Sequence, residues 1–162
     1  VDRRQRQMCI RDRGWVVVRA DRLAPEAIVT AMEAGHFYAS TGVCLKDIDF
    51  DGRQLRLTVE PERGVTYTTH FIGTRRGYDP SSEPVWGTDK QGKPVPVTRR
   101  YSPDVGKVLA RVEGPSPSYT FTGDELYVRA KVISSKKKMP AHVQGETETA
   151  WTQPFQPKSA PR

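Results

Sequence analysis

The chain has 162 residues, 36% of them hydrophobic and 28% charged, the balance of a water-soluble globular protein with one modest core. Its formal charge of +7 would suit a polyanion-binding protein, but residues 1–13 alone hold five arginines against two aspartates, so much of the excess sits at one end. No run approaches the roughly 18 apolar residues of a membrane-spanning helix, and Cys9 and Cys44 are too few for a disulfide or zinc framework.

Taken in chain order, VDRRQRQMCIRDR (1–13) shows neither helical nor strand periodicity and reads as a non-native or disordered tail. Its string QMCIRDR resembles translated sequencing-adapter read-through, and the competing reading is a basic arm for an acidic partner. Gly14 to Ala20 is a continuous apolar run rich in β-branched residues, which predicts a strand buried on both faces of a parallel or barrel sheet. Pro25 suits a first helical turn, and Ile28, Ala31, Met32 and Gly35 then recur at helical spacing, with Gly35 as the stop. Strand and helix make half of a βα repeat whose packing partners would precede residue 14, so residues 14–42 read as the last βα unit of a truncated (β/α) barrel.

From Val43 the pattern changes to alternation and turn chemistry, which predicts a mainly β, antiparallel β-sandwich-like domain over residues 43–155. Asp51-Gly52 joins Val43–Phe50 to Arg53–Val59 as a hairpin, with Leu55, Leu57 and Val59 on one face. Val65 to Ile72 makes a third strand with Val65, Tyr67, Thr69 and Phe71 on one side. Thr74 to Pro94 is rich in Gly, Pro, Ser and charge and reads as a long surface loop. Strands are expected at 95–101 and 105–112, and Leu126 to Ile133 has the apolar character of a central strand. Pattern is lost between Lys136 and Glu148, and Ala150 to Phe155 reads as an edge strand because Pro154 lacks an N–H. The residues after 155 are expected to form a disordered tail.

The chemistry-bearing residues do not converge in sequence. His36, His70 and His142 form no paired ligand motif, and Asp47, Asp49 and Asp51 lack the glycine and late glutamate of a calcium loop. Cys44 reads as a small core residue and the lysines at 136–138 as solvated. Tyr38, Ser40 and Thr41, in FYASTG, are the polar set of interest, either as ligand contacts or as a junction that hydrogen-bonds its own backbone. Ser40 has no histidine at a nucleophile-motif spacing. Trp86 is either a stacking platform for a sugar or base or a lid over the core.

Several stretches resemble, in order and spacing, the C-terminal region of PHP-family proteins, the polymerase and histidinol phosphatase type of metal-dependent phosphoesterase. They are GWVVVRADRLAPEAIVTAMEAGHFYASTGV, DIDFDGRQLRLTVEP, GDELYVRAKVISSK and AWTQPF, between Gly14 and Phe155. The resemblance implies a parent whose barrel supplies His, Asp and Glu ligands to a multinuclear divalent-metal centre that activates water against a phosphoester. All of those ligands would lie before Gly14, so no catalytic or metal-binding residue is assigned here, and the chain by itself is expected to bind no cofactor and to be inactive. Its expected partner is the missing N-terminal barrel domain, with no membrane; nucleic-acid binding through basic patches ranks last among the readings, and the compartment stays open. The alternative is a stand-alone β-sandwich module for carbohydrate or protein, with residues 74–94 and Trp86 as its contact surface.

Overall fold

The computed structural model describes residues 14–138 and 145–157. The arginine-rich tail, His142 and the last five residues lie outside them. Among the described residues the chain is mainly β, with one helix and antiparallel strands in order β1 (Trp15–Val18), α1 (Pro25–Glu33), β2 (Phe37–Ser40), β3 (Leu45–Phe50), β4 (Gln54–Val59), β5 (Tyr67–Arg75), β6 (Ser82–Thr88), β7 (Pro94–Tyr101), β8 (Lys107–Glu113), β9 (Ser118–Thr120), β10 (Glu125–Lys137) and β11 (Thr147–Thr152). A six-stranded sheet ordered β1-β2-β11-β10-β5-β8 packs on a three-stranded sheet ordered β3-β4-β9, and β6 and β7 form a separate ribbon.

The period-2 alternation that marks these strands becomes the core. Leu55, Leu57 and Val59 of the small sheet meet Phe71, Val128, Ala130, Val132 and Ala150 of the large one, with Tyr38, Tyr67 and Tyr119 beside them. Phe71, Leu55 and Val128 are fully enclosed, and each such side chain contributes about 1.5–3 kcal/mol of apolar burial. Asp51 closes the β3–β4 turn: its Oδ1 accepts the Arg53 and Gln54 N–H groups at 2.8 Å each. Arg56 bridges Asp49 and Asp51 at 2.7 and 2.8 Å. Those backbone bonds first, and Arg56 after them, bring the Asp51 carboxyl down to about 2. The helix begins with Pro25 at its first position and runs to Glu33, with Ala34 as its C-cap and Gly35, φ +75°, turning the chain just beyond. There His36 N–H reaches Ala31 O and Gly35 N–H reaches Met32 O, satisfying the last carbonyls.

Several expectations are corrected. Val16 pairs antiparallel with Ala39, and β1 is an edge strand with Trp15, Val16 and Val17 exposed, not buried on both faces. An apolar run has the same periodicity whether neighbours cover both faces or neither. The sheet also runs unbroken across position 42, since β2 is hydrogen-bonded to β11. Thr74–Pro94 is not all loop, because residues 82–88 pair with 94–101. The prolines that argued for a loop are accommodated because a two-stranded ribbon has two open edges. β11 is an interior strand between β2 and β10; Pro154 lies past its end, leaving the ladder intact, and Phe155 forms only an isolated bridge to Val128. Cys44 is exposed rather than core. Lys138 is buried rather than solvated, its Nζ lying 3.7 Å from Glu146.

Candidate functional site

Tyr38, Ser40 and Thr41 come together at the β2–β3 crossing. Tyr38 is buried on the core face of β2, and its hydroxyl accepts the Leu45 N–H at 3.0 Å. Burial pushes its pKa up. Ser40 Oγ donates to Val43 O at 2.6 Å and accepts the Gly42 N–H at 3.0 Å. Thr41 Oγ1 accepts the Thr149 N–H at 2.8 Å and so fastens β2 to β11. Among the described residues no histidine hydrogen-bonds Ser40, and its hydroxyl is engaged with the backbone at Val43 and Gly42. Trp86 stands apart on β6, opposite Pro96, and is 61% exposed, neither lid nor core. Among the described residues no group of three His, Cys, Asp or Glu side chains is placed to hold a metal ion.

A different set of side chains is assembled by register on the face of the six-stranded sheet turned away from the core. Directly paired residues share a face. Val16 pairs with Ala39, Ala39 with Trp151, Trp151 with Lys131, Lys131 with His70, and His70 with Arg111. One residue from every strand therefore stands in a single cross-sheet row. Neighbouring strands are roughly 4.8 Å apart, so Trp151 to Arg111 spans roughly 14 Å.

The row divides into an apolar and a basic half. Over Ala39, whose methyl group leaves space, lies a shallow hollow of about 510 Å³ lined by Val16, Thr41, Thr149, Trp151 and Lys138 among others. On the other side, the Arg129 guanidinium lies 4.6 Å and the Lys131 ammonium 4.9 Å from the centroid of the Trp151 ring. The ring quadrupole attracts both cations and holds their stems against the sheet. Arg111, Arg129 and Lys131 form no ion pair with a described residue. Partial burial first, and then the charges of Arg111 and Lys131, hold His70 below its ordinary pKa. Glu113, opposite Thr68 at the end of β8, reaches this face by register, and Glu146 lines the hollow at its other end.

Sequence reading passed over this set. The alternation of Arg129 and Lys131 with Val128, Ala130 and Val132 was the available signal, but which cations become neighbours depends on strand order. Comparison with protein-family models, curated proteins and solved structures finds no match to this chain.

Proposed function

We propose that this chain is the non-catalytic C-terminal β domain of a PHP-like metal-dependent phosphoesterase, and that it docks on the domain carrying the catalytic metal ligands. The observation that supports the reading is the apolar flank at one end of the large sheet. Trp15, Val16 and Val17 on β1, Leu23 in the connection, and Val29 and Met32 on the adjoining α1 are all exposed, Leu23 by 97%. Apolar side chains gathered in this way mark an interaction side, and β1 leaves one edge of the sheet unpaired beside them. The divalent ions, and the activation of water against a phosphoester, belong to that partner domain. This chain's own residues supply the docking flank.

The test is to recover the DNA sequence upstream of codon 14 and to express the extended chain. The expected outcome is a frame with His and Asp ligand motifs, phosphomonoesterase activity dependent on divalent metal, and slower amide exchange in β1 and α1 than in the chain described here. An upstream frame without such motifs, or unchanged exchange in β1 and α1, overturns the proposal.

A second reading, a binding module for carbohydrate or protein, is favoured by the ribbon. Ser82, Pro84 and Trp86 share a ribbon face with Tyr101, Arg99 and Pro96 by register, and Arg99 is fixed there by bonds to Ser82 Oγ at 2.8 Å and Ser82 O at 3.0 Å. Retention on a glycan array that disappears in Trp86→Ala would support it; retention unchanged by that substitution would remove it.

A further inference from the structure

We propose that the open face of the six-stranded sheet is a binding surface for single-stranded nucleic acid, with Arg111, Lys131 and Arg129 on its phosphates and His70 and Trp151 beneath the strand. The inference stands on the cross-sheet row and does not depend on the hydrolase reading.

Charge complementarity identifies the ligand as an anion. Arg129 and Lys131 stand together on β10 and Arg111 two strands away on β8, with Glu113 at the end of β8 and Lys138 and Glu146 at the hollow; the repulsion between the two β10 cations is a standing cost that a bound polyanion would relieve. None of Arg111, Arg129 and Lys131 is neutralised by an ion pair among the described residues, although cations elsewhere on the chain are: Arg56, Arg75 and Lys136 each have an acidic partner within 3.0 Å. A lone phosphate would need a pocket with convergent donors. Here Lys131 and Arg111 stand two strand spacings apart, roughly 10 Å, with Arg129 beside Lys131 on β10, a spread that suits successive charges rather than one point.

The form of the surface favours a nucleic acid over an acidic peptide or a sulfated glycan. A sheet face with aromatic and guanidinium planes offers stacking partners to bases, each worth ~1–3 kcal/mol in such modules. Trp151, Arg129 and the His70 ring lie on adjacent strands of this face. Single strands suit it because their bases are free to turn toward the protein while the backbone tracks the cations. Outside residues 1–13 the chain carries +4, the total of +7 less the +3 of that tail, which adds long-range attraction.

The test uses the full chain and a fluorescein-labelled oligothymidylate of about 20 nucleotides, followed by anisotropy at about 50 and 200 mM salt. Arg111→Ala/Lys131→Ala is expected to weaken binding by about tenfold or more, and to reduce the slope of log Kd against log salt by about 1.4, two single-strand phosphate contacts. Lys46→Ala/Lys93→Ala, which removes two exposed cations from β3 and the ribbon turn, should change affinity by less than about twofold. Equal loss in both double variants, or no loss in the first, would show that binding comes from general charge or from the basic residues 1–13, and overturns the proposal. So does tighter binding of a heparin fragment or a polyglutamate of equal charge. Photocrosslinking of the wild-type chain to a bromodeoxyuridine oligonucleotide guards against a variant that fails to fold. Adducts in β5, β8, β10 or β11 support the surface, and adducts confined elsewhere refute it.

Discussion

Glu125 offers the sharpest test of how the two sheets are held together. Its carboxylate is fully buried, with one oxygen accepting the Tyr119 hydroxyl at 2.7 Å and the Thr122 hydroxyl at 2.9 Å. The other oxygen accepts the Thr122 and Gly123 N–H groups at 3.1 and 3.0 Å. Tyr119 is on β9 and Glu125 on β10, so this bond links the small sheet to the large one. Burial alone would raise the carboxyl pKa, but the Tyr119 hydroxyl and the Thr122 donors outweigh it and bring the pKa down to about 2. Burial, and then the bond to Glu125, push the Tyr119 hydroxyl up to about 12, as expected of a phenol that donates to a carboxylate.

A carboxyl that ionises at about 2 in place of the ordinary 4.5 contributes about 3 kcal/mol at neutral pH. Because the folded pKa is the lower one, that stability is fully present above about pH 4.5 and is lost as pH falls toward about 2. Glu125→Gln keeps the shape but turns one acceptor into a donor facing two N–H groups, so it should cost about 3 kcal/mol at pH 7 and far less near pH 2. Urea denaturation of both proteins at a series of pH values reads this directly. Parallel stability curves from pH 7 to pH 2, with a constant gap, would show that Glu125 is not held ionised by this network and would refute the reasoning.

Other outcomes follow from single contacts. Gly73→Ala sets a Cβ against the Tyr127 carbonyl oxygen and the Leu109 side chain and should destabilise by about 2 kcal/mol or more by forcing β5 from β10, measured by thermal melting. Trp86→Ala should change stability by less than about 0.5 kcal/mol in the same assay, since that ring is exposed on the ribbon. In an NMR titration His70 should protonate below the ordinary histidine range, and Lys131→Gln should move its pKa up by removing one neighbouring cation. The same depressed pKa means that His70 favours folding above the ordinary range, and that its contribution fades as pH falls through that range toward the folded value.

Strand existence was legible wherever alternation was strong. Leu55, Leu57 and Val59 announced their buried face, as did Tyr67, Thr69 and Phe71, because a period of two survives in the sequence whatever the strand pairs with. The Asp51-Gly52 turn was equally local: Gly52 adopts φ +94° and the Asp51 carboxylate bonds the next backbone N–H groups. Tyr38, Ser40 and Thr41 were singled out as a polar cluster, but their partners, Leu45, Val43 and Thr149, include one that is 108 residues distant in the chain. Trp86 shows the limit from the other side, since a tryptophan's size favours burial and nothing nearby in sequence says that its ribbon projects from the core.

What the amino-acid order determined by itself was local: which segments extend, where α1 starts at Pro25 and stops before Gly35, and which side chains of a strand share a face. What the tertiary structure alone decided was adjacency. Strand order placed β11 inside the sheet, left β1 at its edge, and aligned Trp151, Lys131, His70 and Arg111 from four distant segments on one open face. The physical reason is that hydrogen-bonded pairing acts between segments tens of residues apart, so a row of neighbouring side chains exists only once register has been set by burial of the opposite face.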